Sequence, residues 1–447
     1  MSEEQVTLDD LDEVADEAGS STNGWQQIEM GELAEYQNGN AFSKSEWTDD
    51  GYPIIRIQNL TGEQEEFNYF DGELEDRYRV KNGDLLLSWS ATIDVFEWNG
   101  PEAALNQHIY RVDTTDQVNE IFFRFKLEEL LPRLEALSHG STMKHVRKAD
   151  LVNLDADIPP LEEQRKIASV LYTVDQAIQK TEAISQQLST LRRGLRQDIF
   201  SGQVGRRDTK STRTGPISIE IPREWEVRPL GDFVDEFVGG ATLSKDDFTE
   251  KGVSVLPKKA VNDIGIAAVD GDERQFCSED TAQENQTNLV DSQYLITALR
   301  DLNADAPSIG RIVKISPESK YPDGDQFLLA QGVHGIKTSQ KILNDYLIEV
   351  SNCGWYRRYV KSISVGSTQI HIRNDEFLDI KIPVPPLEEQ QEIATRLRDI
   401  VRLQSKQNSY RDGLQRLKQG LMQDLLSGEV RTHDTDIEIV DKVLQHD

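Results

Sequence analysis

The sequence predicts an α+β protein built as an internal tandem duplication, two mixed domains alternating with two long helices that pair as an antiparallel coiled coil. Three observations predict it. The hexapeptide Pro159-Pro160-Leu161-Glu162-Glu163-Gln164 recurs as Pro385-Pro386-Leu387-Glu388-Glu389-Gln390, an offset of 226 residues, and at that offset 19 of the 47 positions from 158 to 204 are identical to those from 384 to 430. Each hexapeptide opens a run with apolar residues at heptad spacing. Before each run lies a segment of short β-rich stretches separated by Gly, Asn and Asp turns.

Taken in order, residues 1–23 form an acidic arm with eight acidic residues and no basic one, which reads as solvated and disordered. Residues 24–160 are the first mixed domain. Its strand signals include Tyr52 to Ile57, Asp84 to Trp89 and His108 to Val112, followed by a helical stretch from Ile121 to Leu137. Residues 161–202 are the first long helix: two prolines fix an extended entry, Glu162 and Glu163 occupy the first turn where the dipole favours anions, and Gly202 reads as a C-cap. Ile167, Val174, Leu188, Leu191 and Leu195 mark its seam, with polar Thr181 within it. Residues 203–386 are the second mixed domain, with a helical stretch from Asn344 to Lys361. Residues 387–428 repeat the helix, with Ile393, Ile400, Leu414, Leu417 and Leu421 on the seam and Gln407 opposite Thr181 in the repeat. Residues 429–447 form an acidic tail, also read as disordered.

The similarity reaches back to Gly140-Ser141-Thr142 over Gly366-Ser367-Thr368 and to His145 over His371. Upstream the offset falls to 200 (Trp25 over Trp225), so the second copy carries 26 extra residues in its interior. Similar ends and divergent interiors suit a shared scaffold presenting two specificities. The two histidines read as packed or phosphate-side, not catalytic.

Composition narrows the chemistry. Two distant cysteines and seven scattered histidines give no disulfide framework and no metal site. The chain lacks a phosphate loop, HExxH and GxSxG, and Asp157-Ile158-Pro159-Pro160-Leu161 lacks the acceptor and aromatic of an amino-methyltransferase motif. No catalytic residue, metal or cofactor is expected. With no signal-like start and no apolar run near 18 residues, a cytoplasmic protein without a membrane span is expected.

A net charge of −30 argues at first against a polyanionic partner. Local charge reverses that: His139 to Lys148 is +3, Trp355 to Arg373 is +4 and Arg192 to Arg213 is +5. Candidate phosphate contacts are Ser141, Thr142, Lys144, Arg147, Lys148, Arg357, Arg358, Ser367 and Thr368. Candidate base readers are Gln37, Asn38, Arg56, Gln58, Asn59 and Gln107, with neighbouring Asn106 and His108, in the first domain, and Lys258, Lys259, Arg300, Gln331 and Gln369 in the second.

The doubled Gly-Ser-Thr and Pro-Pro-Leu-Glu-Glu-Gln segments, the helix ending at Ser201-Gly202, the Trp225-Glu226-Val227-Arg228-Pro229-Leu230-Gly231 opening and Asn82-Gly83-Asp84-Leu85-Leu86 together resemble the specificity subunits of Type I restriction-modification systems. The resemblance covers about residues 24 to 431. It implies two target-recognition domains, each reading half of an asymmetric, bipartite site in double-stranded DNA. It also implies two modification subunits, which methylate adenine with S-adenosylmethionine and dock on the helices, and restriction subunits that translocate and cleave with ATP. A fused single-chain restriction or methyltransferase enzyme is disfavoured by the missing motifs, and a structural coiled-coil adaptor by the paired variable domains. The acidity itself, with pI near 4.7, resembles that of salt-loving organisms.

Overall fold

The computed structural model describes residues 24–138, 145–269, 271–301, 307–316, 324–366 and 369–445. The acidic arm and the candidates Ser141, Thr142, Lys144, Ser367 and Thr368 lie outside these residues. The chain divides into two compact units, residues 1–181 with 410–447 and residues 182–409. Each unit takes the first half of one long helix and the second half of the other.

In the first unit β1 (Gln26–Glu29) pairs antiparallel with β10 (Asp155–Ile158), which fastens the start of the domain to the entry of the long helix α2 (Leu161–Phe200). One sheet has the order β2 (Ala34–Asn38), β9 (Ile109–Thr114), β6 (Leu85–Ser90), β7 (Thr92–Glu97), antiparallel throughout. The other has the order β4 (Asn68–Phe70), β3 (Tyr52–Ile55), β8 (Ala103–Leu105), β5 (Arg79–Val80), with β3 and β8 parallel. The run Leu85-Leu86-Leu87 is buried because β6 is covered on both faces. Helix α1 (Glu120–Ala136) starts at Asn119, whose side chain accepts the Phe122 N–H at 3.1 Å, and buries Phe122, Phe123, Phe125, Leu130 and Leu134 in the unit's core.

The second unit repeats this plan. After the hairpin β11 (Thr209–Thr214) and β12 (Ile217–Pro222), β13 (Glu226–Pro229) pairs with β25 (Lys381–Val384) as β1 does with β10. One sheet has the order β14 (Val234–Gly239), β23 (Val333–Thr338), β19 (Leu295–Ala298), β21 (Ile312–Lys314). The other has the order β15 (Phe248–Thr249), β17 (Gln275–Cys277), β16 (Val253–Leu256), β22 (Phe327–Leu329), β18 (Leu289–Val290), with β16 and β22 parallel. A short pair, β20 (Arg300–Asp301) with β24 (Ile370–His371), completes it. The single helix expected from Asn344 to Lys361 is two, α3 (Asn344–Ser351) and α4 (Gly354–Ile363), because Asn352 bonds back to the Ile348 carbonyl and Cys353 turns extended at ψ 140°.

Strand pairing locates the extra 26 residues. Equivalent positions differ by 201 at Ile55 and Leu256, by 210 at Val80 and Val290, by 224 at Leu105 and Leu329, and by 226 from His145 and His371 onward. The excess therefore falls mainly between β16 and β18 and between β19 and β22, and leaves every shared strand in place.

The repeated hexapeptide is a joint. Gln164 is buried, accepts the Asn119 N–H at 2.8 Å and donates to the Pro159 carbonyl at 2.9 Å. Its counterpart Gln390 accepts the Leu343 N–H at 2.9 Å and donates to the Pro385 carbonyl at 3.0 Å. Each glutamine thus ties the start of a long helix to the start of its domain's own helix. The second glutamate of each motif is held by an arginine beyond the other long helix: Glu163 by Arg431 and Glu389 by Arg207.

The long helices α2 and α5 (Leu387–Leu426) run antiparallel. In the first unit Ile167, Ala168 and Leu171 share a core with Leu425 and Leu426, and Lys418 reaches Asp175 at 2.9 Å. In the second, Ile199 and Phe200 pack with Ile393 and Leu397. The heptad seam is not continuous: Ile184, Leu191, Leu403, Tyr410 and Leu417 are exposed, Leu191 by 57 % and Leu417 by 50 %. The helices bury their ends against the domains, so the apolar residues required there are set by the domains and not by heptads. Polar Thr181 and Gln407, at equivalent seam positions, are expected from the repeat to help fix the register of the pair, but the polar contact between the helices lies elsewhere. Thr181 donates within its own helix to Ala177, whereas Ser185 bonds Asn408 at 2.9 Å.

The acidic tail departs from expectation as well. Residues through Gln445 lie within the described structure, and Val443 is fully buried. Asn119 donates to the Val443 carbonyl at 2.9 Å, and the Val440 N–H donates to Ser169 at 3.2 Å. Ile439, Val440 and Val443 supply an apolar face within the acidic run, enough to dock it on the first unit's core.

Candidate nucleic-acid interface

At one end of each unit's first sheet, the tips of two strands and a turn meet the segment around the repeated histidine. In the first unit the Asn40 N–H bonds the Leu105 carbonyl at 2.9 Å, the Trp89 N–H bonds the His108 carbonyl at 3.1 Å and the Val146 N–H bonds the Trp89 carbonyl at 3.0 Å. In the second, Ala241 to Leu329 at 2.8 Å, Leu299 to Gly332 at 2.8 Å and Ile372 to Leu299 at 3.0 Å repeat those bonds one for one. The bridge between Ser90 and His145 becomes that between Arg300 and His371. Glycine is required at the crossing: a Cβ on Gly39 would stand 2.0 Å from the Asn106 carbonyl oxygen, and one on Gly240 2.0 Å from that of Ala330.

On this common frame the side chains differ. Tyr36 and Tyr110 meet edge to face at 6.1 Å, where the second unit has Phe237 stacked on His334 at 5.0 Å. Trp89 stacks on Tyr110 at 5.8 Å and donates to Asn38 Oδ1 at 3.0 Å; its counterpart is Leu299. His108 takes the left-handed conformation at φ 75°, where the second copy has Gly332 with the Arg300 side chain packed over it. Burial, and next the proximity of His145, push the His108 imidazole below its ordinary pKa; burial pulls His334 down to about 4. Both rings are therefore neutral at pH 7.

Of the candidates in the first domain, Gln37, Asn38, Gln107, Arg147 and Lys148 come together at this end, with Gln107, Arg147 and Lys148 exposed. Lys148 donates to the Tyr36 carbonyl at 2.7 Å. Arg56, Gln58 and Asn59 belong instead to the short helix after β3. There Arg56 holds Gln64 at 2.8 Å and lies over Trp47, and Asn59 holds the Gln64 and Glu66 carbonyls. In the second domain Arg300, Gln331 and Gln369 share the rim, Gln331 donating to Thr242 at 3.3 Å. Lys258 and Lys259 lie after β16, with Lys259 paired to Glu273.

The basic run from Arg192 to Arg213 is largely committed to the fold. Arg192 and Arg196 are buried on Glu349, Arg207 holds Glu389 and Glu224, and Lys210 donates to the Trp225 carbonyl at 2.6 Å. Arg357, expected on a phosphate, donates to the Ile309 carbonyl at 2.6 Å and the Pro307 carbonyl at 3.3 Å. Arg358 remains exposed. The aromatic pairs behind each rim were not singled out from sequence. Their signal is a changing offset, 201 on one strand and 224 on the next, which a single-offset comparison passes over.

Each rim thus offers amides and a guanidinium on an aromatic base, and the first adds the Lys148 ammonium, the groups that read base edges and touch phosphates. Among the described residues no group of three or more His, Cys, Asp or Glu side chains could hold a metal ion, and no helix is long and apolar enough to cross a membrane.

A family model described as the Type I restriction modification DNA specificity domain matches residues 22–190 and 222–410. The Type I restriction enzyme MjaVIII specificity subunit of Methanocaldococcus jannaschii is 25 % identical over 419 residues, covering 91 % of this chain and 93 % of the relative. The Type I restriction enzyme EcoBI specificity subunit of Escherichia coli is 25 % identical over 405 residues, covering 85 % and 79 %. The crystal structure of a Type I restriction-modification S subunit from M. genitalium shares the fold, with a TM-score of 0.56 at 14 % identity over 91 % of this chain and 97 % of that one.

Proposed function

The chain belongs to the Type I restriction-modification DNA specificity family, whose specificity subunits are non-catalytic, and from that premise we propose that it reads an asymmetric, bipartite DNA site, one half per domain. The observation that carries this reading is the repeated frame: the same three backbone bonds recur in both domains while the side chains around them change. Gln37, Asn38, Gln107, Arg147 and Lys148 contact one half-site; Arg300, Gln331 and Gln369 contact the other. The paired helices hold the half-sites apart and carry two modification subunits, which methylate adenine, and restriction subunits that cleave.

Because Ser185 faces Asn408, a longer ruler needs four residues in both helices, after Gln186 and before Gln407. That adds about 6 Å at 1.5 Å per residue, equivalent to one or two base pairs at roughly 3.4 Å each. Methylation mapping of a host expressing this variant with its modification partner should show unchanged half-sites and a spacer longer by that amount. Altered half-sites around a constant spacer would overturn the reading.

The charge of −30 is the basis for a second expectation, a chain adapted to molar salt. Counterion release then contributes little affinity, and base contacts and shape carry more of it. Folding and duplex binding are expected to improve from 0.1 M to about 2 M KCl in a titration followed by circular dichroism and anisotropy; an optimum at low salt refutes the adaptation.

A further inference from the structure

The second unit contains a cleft of about 640 Å³ lined by six arginines: Arg192, Arg193, Arg196, Arg311, Arg357 and Arg358. Its acidic groups are fewer. Glu349, buried beside the cleft, pairs with Arg192 and with Arg196 at 2.8 Å; Glu220 and Asp263 also line the cleft, and the Asp263 carbonyl accepts from Arg192 at 3.3 Å. Arg311 is held by the Asn352 side chain and donates to the Pro307 carbonyl at 2.7 Å, so its partners are neutral.

Three further features point the same way. Helix α4 begins at the cleft with Gly354, has no side-chain cap and no acidic residue in its first turn, and so presents the positive end of its dipole. A Cβ on Gly354 would lie 3.7 Å from Arg358 Nη1, which places that guanidinium beside the helix start. Arg192 is 6 % exposed, and its Nε has no hydrogen-bond partner among the described residues. Burial pulls Arg311 down from its ordinary pKa, with Asp263 opposing the shift and Arg196 and Arg192 adding to it, and burial followed by Arg311 pulls Arg357 to about 10. A guanidinium stays charged, so Arg311 and Arg357 bring their positive charge into the cleft at the cost of part of their hydration.

The duplication supplies an internal control. Lys418 stands in the first unit where Arg192 stands in the second, and Glu128 where Asn352 stands. There Arg124 and Lys418 are matched by Glu128 and Asp175, at 2.7 Å for Arg124 to Asp175 and 2.9 Å for both lysine contacts. A balanced network suffices for this joint. The second unit's excess of arginine is therefore not a requirement of the fold.

We propose that this cleft binds a phosphate-type oxyanion, held by Arg193, Arg311 and Arg358 with the first N–H groups of α4. The anion is either a free di- or triphosphate or the backbone phosphate of DNA. The site is independent of the half-site rims and can fail without them.

The test is calorimetric titration of the full chain with inorganic pyrophosphate at one fixed KCl concentration. Saturable binding at one site is expected, weakened at least tenfold by Arg193→Ala/Arg358→Ala. The control Lys81→Ala/Lys251→Ala, with the same charge change on exposed residues elsewhere, retains it. Circular dichroism checks that both variants fold. Absence of saturable binding, or equal weakening in the control, overturns the proposal. A duplex oligonucleotide then separates the sources: DNA affinity that pyrophosphate leaves unchanged assigns the site to a free anion, and competition by pyrophosphate assigns it to the DNA backbone.

Discussion

Glu349→Gln is expected to lower the unfolding free energy by about 3–5 kcal/mol, the cost of removing one member of a buried ion pair. Glu349 is 4 % exposed and lies between Arg192 and Arg196, at 6 % and 8 %. Without its charge both guanidinium groups stay buried beside Arg311 and lose their ion-pair partner. Urea denaturation, followed by fluorescence, should place the loss in the second unit. The triple variant Arg192→Met/Arg196→Met/Glu349→Leu, which removes the whole network, should recover most of it, because apolar replacement of a buried ionic cluster is near neutral or stabilising. Met422 already occupies the repeat position of Arg196 and Phe125 that of Glu349. If Glu349→Gln alone is neutral, solvent reaches the arginines and the cluster is not the buried network described.

That cluster also shows where sequence reading stops. The duplication, both long helices, the Gly202 turn at φ 73° and the main strands follow from local signals: a repeated motif, heptad spacing and apolar runs between turn residues. The destination of each charge does not. Arg192, Arg196, Arg207 and Arg357 read as a basic surface because a linear tally pairs an arginine only with its chain neighbours. Their partners lie far along the chain, Glu349 153 residues beyond Arg196 and Glu389 182 residues beyond Arg207. The tail misleads for the converse reason. Its acidic residues dominate composition, yet Ile439, Val440 and Val443, at spacings of one and three, suffice for docking once a core with a matching surface exists. At the rims, single residues such as Asn38, Gln107 and Gln331 were legible as exposed polar groups, whereas the aromatic pairs beneath them needed the strand register.

Arg431→Ala is expected to cost about 3 kcal/mol near neutral pH, the low end of the range for a broken buried pair. Arg431 donates to Glu163 through Nε at 2.9 Å and Nη2 at 2.8 Å, and its guanidinium lies over Trp25. The same carboxylate accepts the Thr432 N–H at 3.1 Å and the Trp25 indole at 3.2 Å, so the arginine closes a joint among the domain start, the first helix and the tail. Burial alone would raise the Glu163 pKa; the Arg431 guanidinium, with the Thr432 and Trp25 donors, outweighs it and holds the carboxyl below its ordinary value. A depressed folded pKa makes the contribution fully present above the unfolded value of about 4.3. It is lost as pH falls through the folded value. The gap in stability between wild type and Arg431→Ala should therefore be constant from pH 8 to 6 and narrow below about pH 4. A gap independent of pH would mean that the arginine acts through its packing on Trp25 and not through Glu163. Deleting residues 429–447 should cost more than the point change, because it also uncovers the core under Val443 and leaves Gly428 and Trp25 exposed. A truncated chain as stable as the full one would show that the tail docks without contributing, and that the joint is held by the two helices alone.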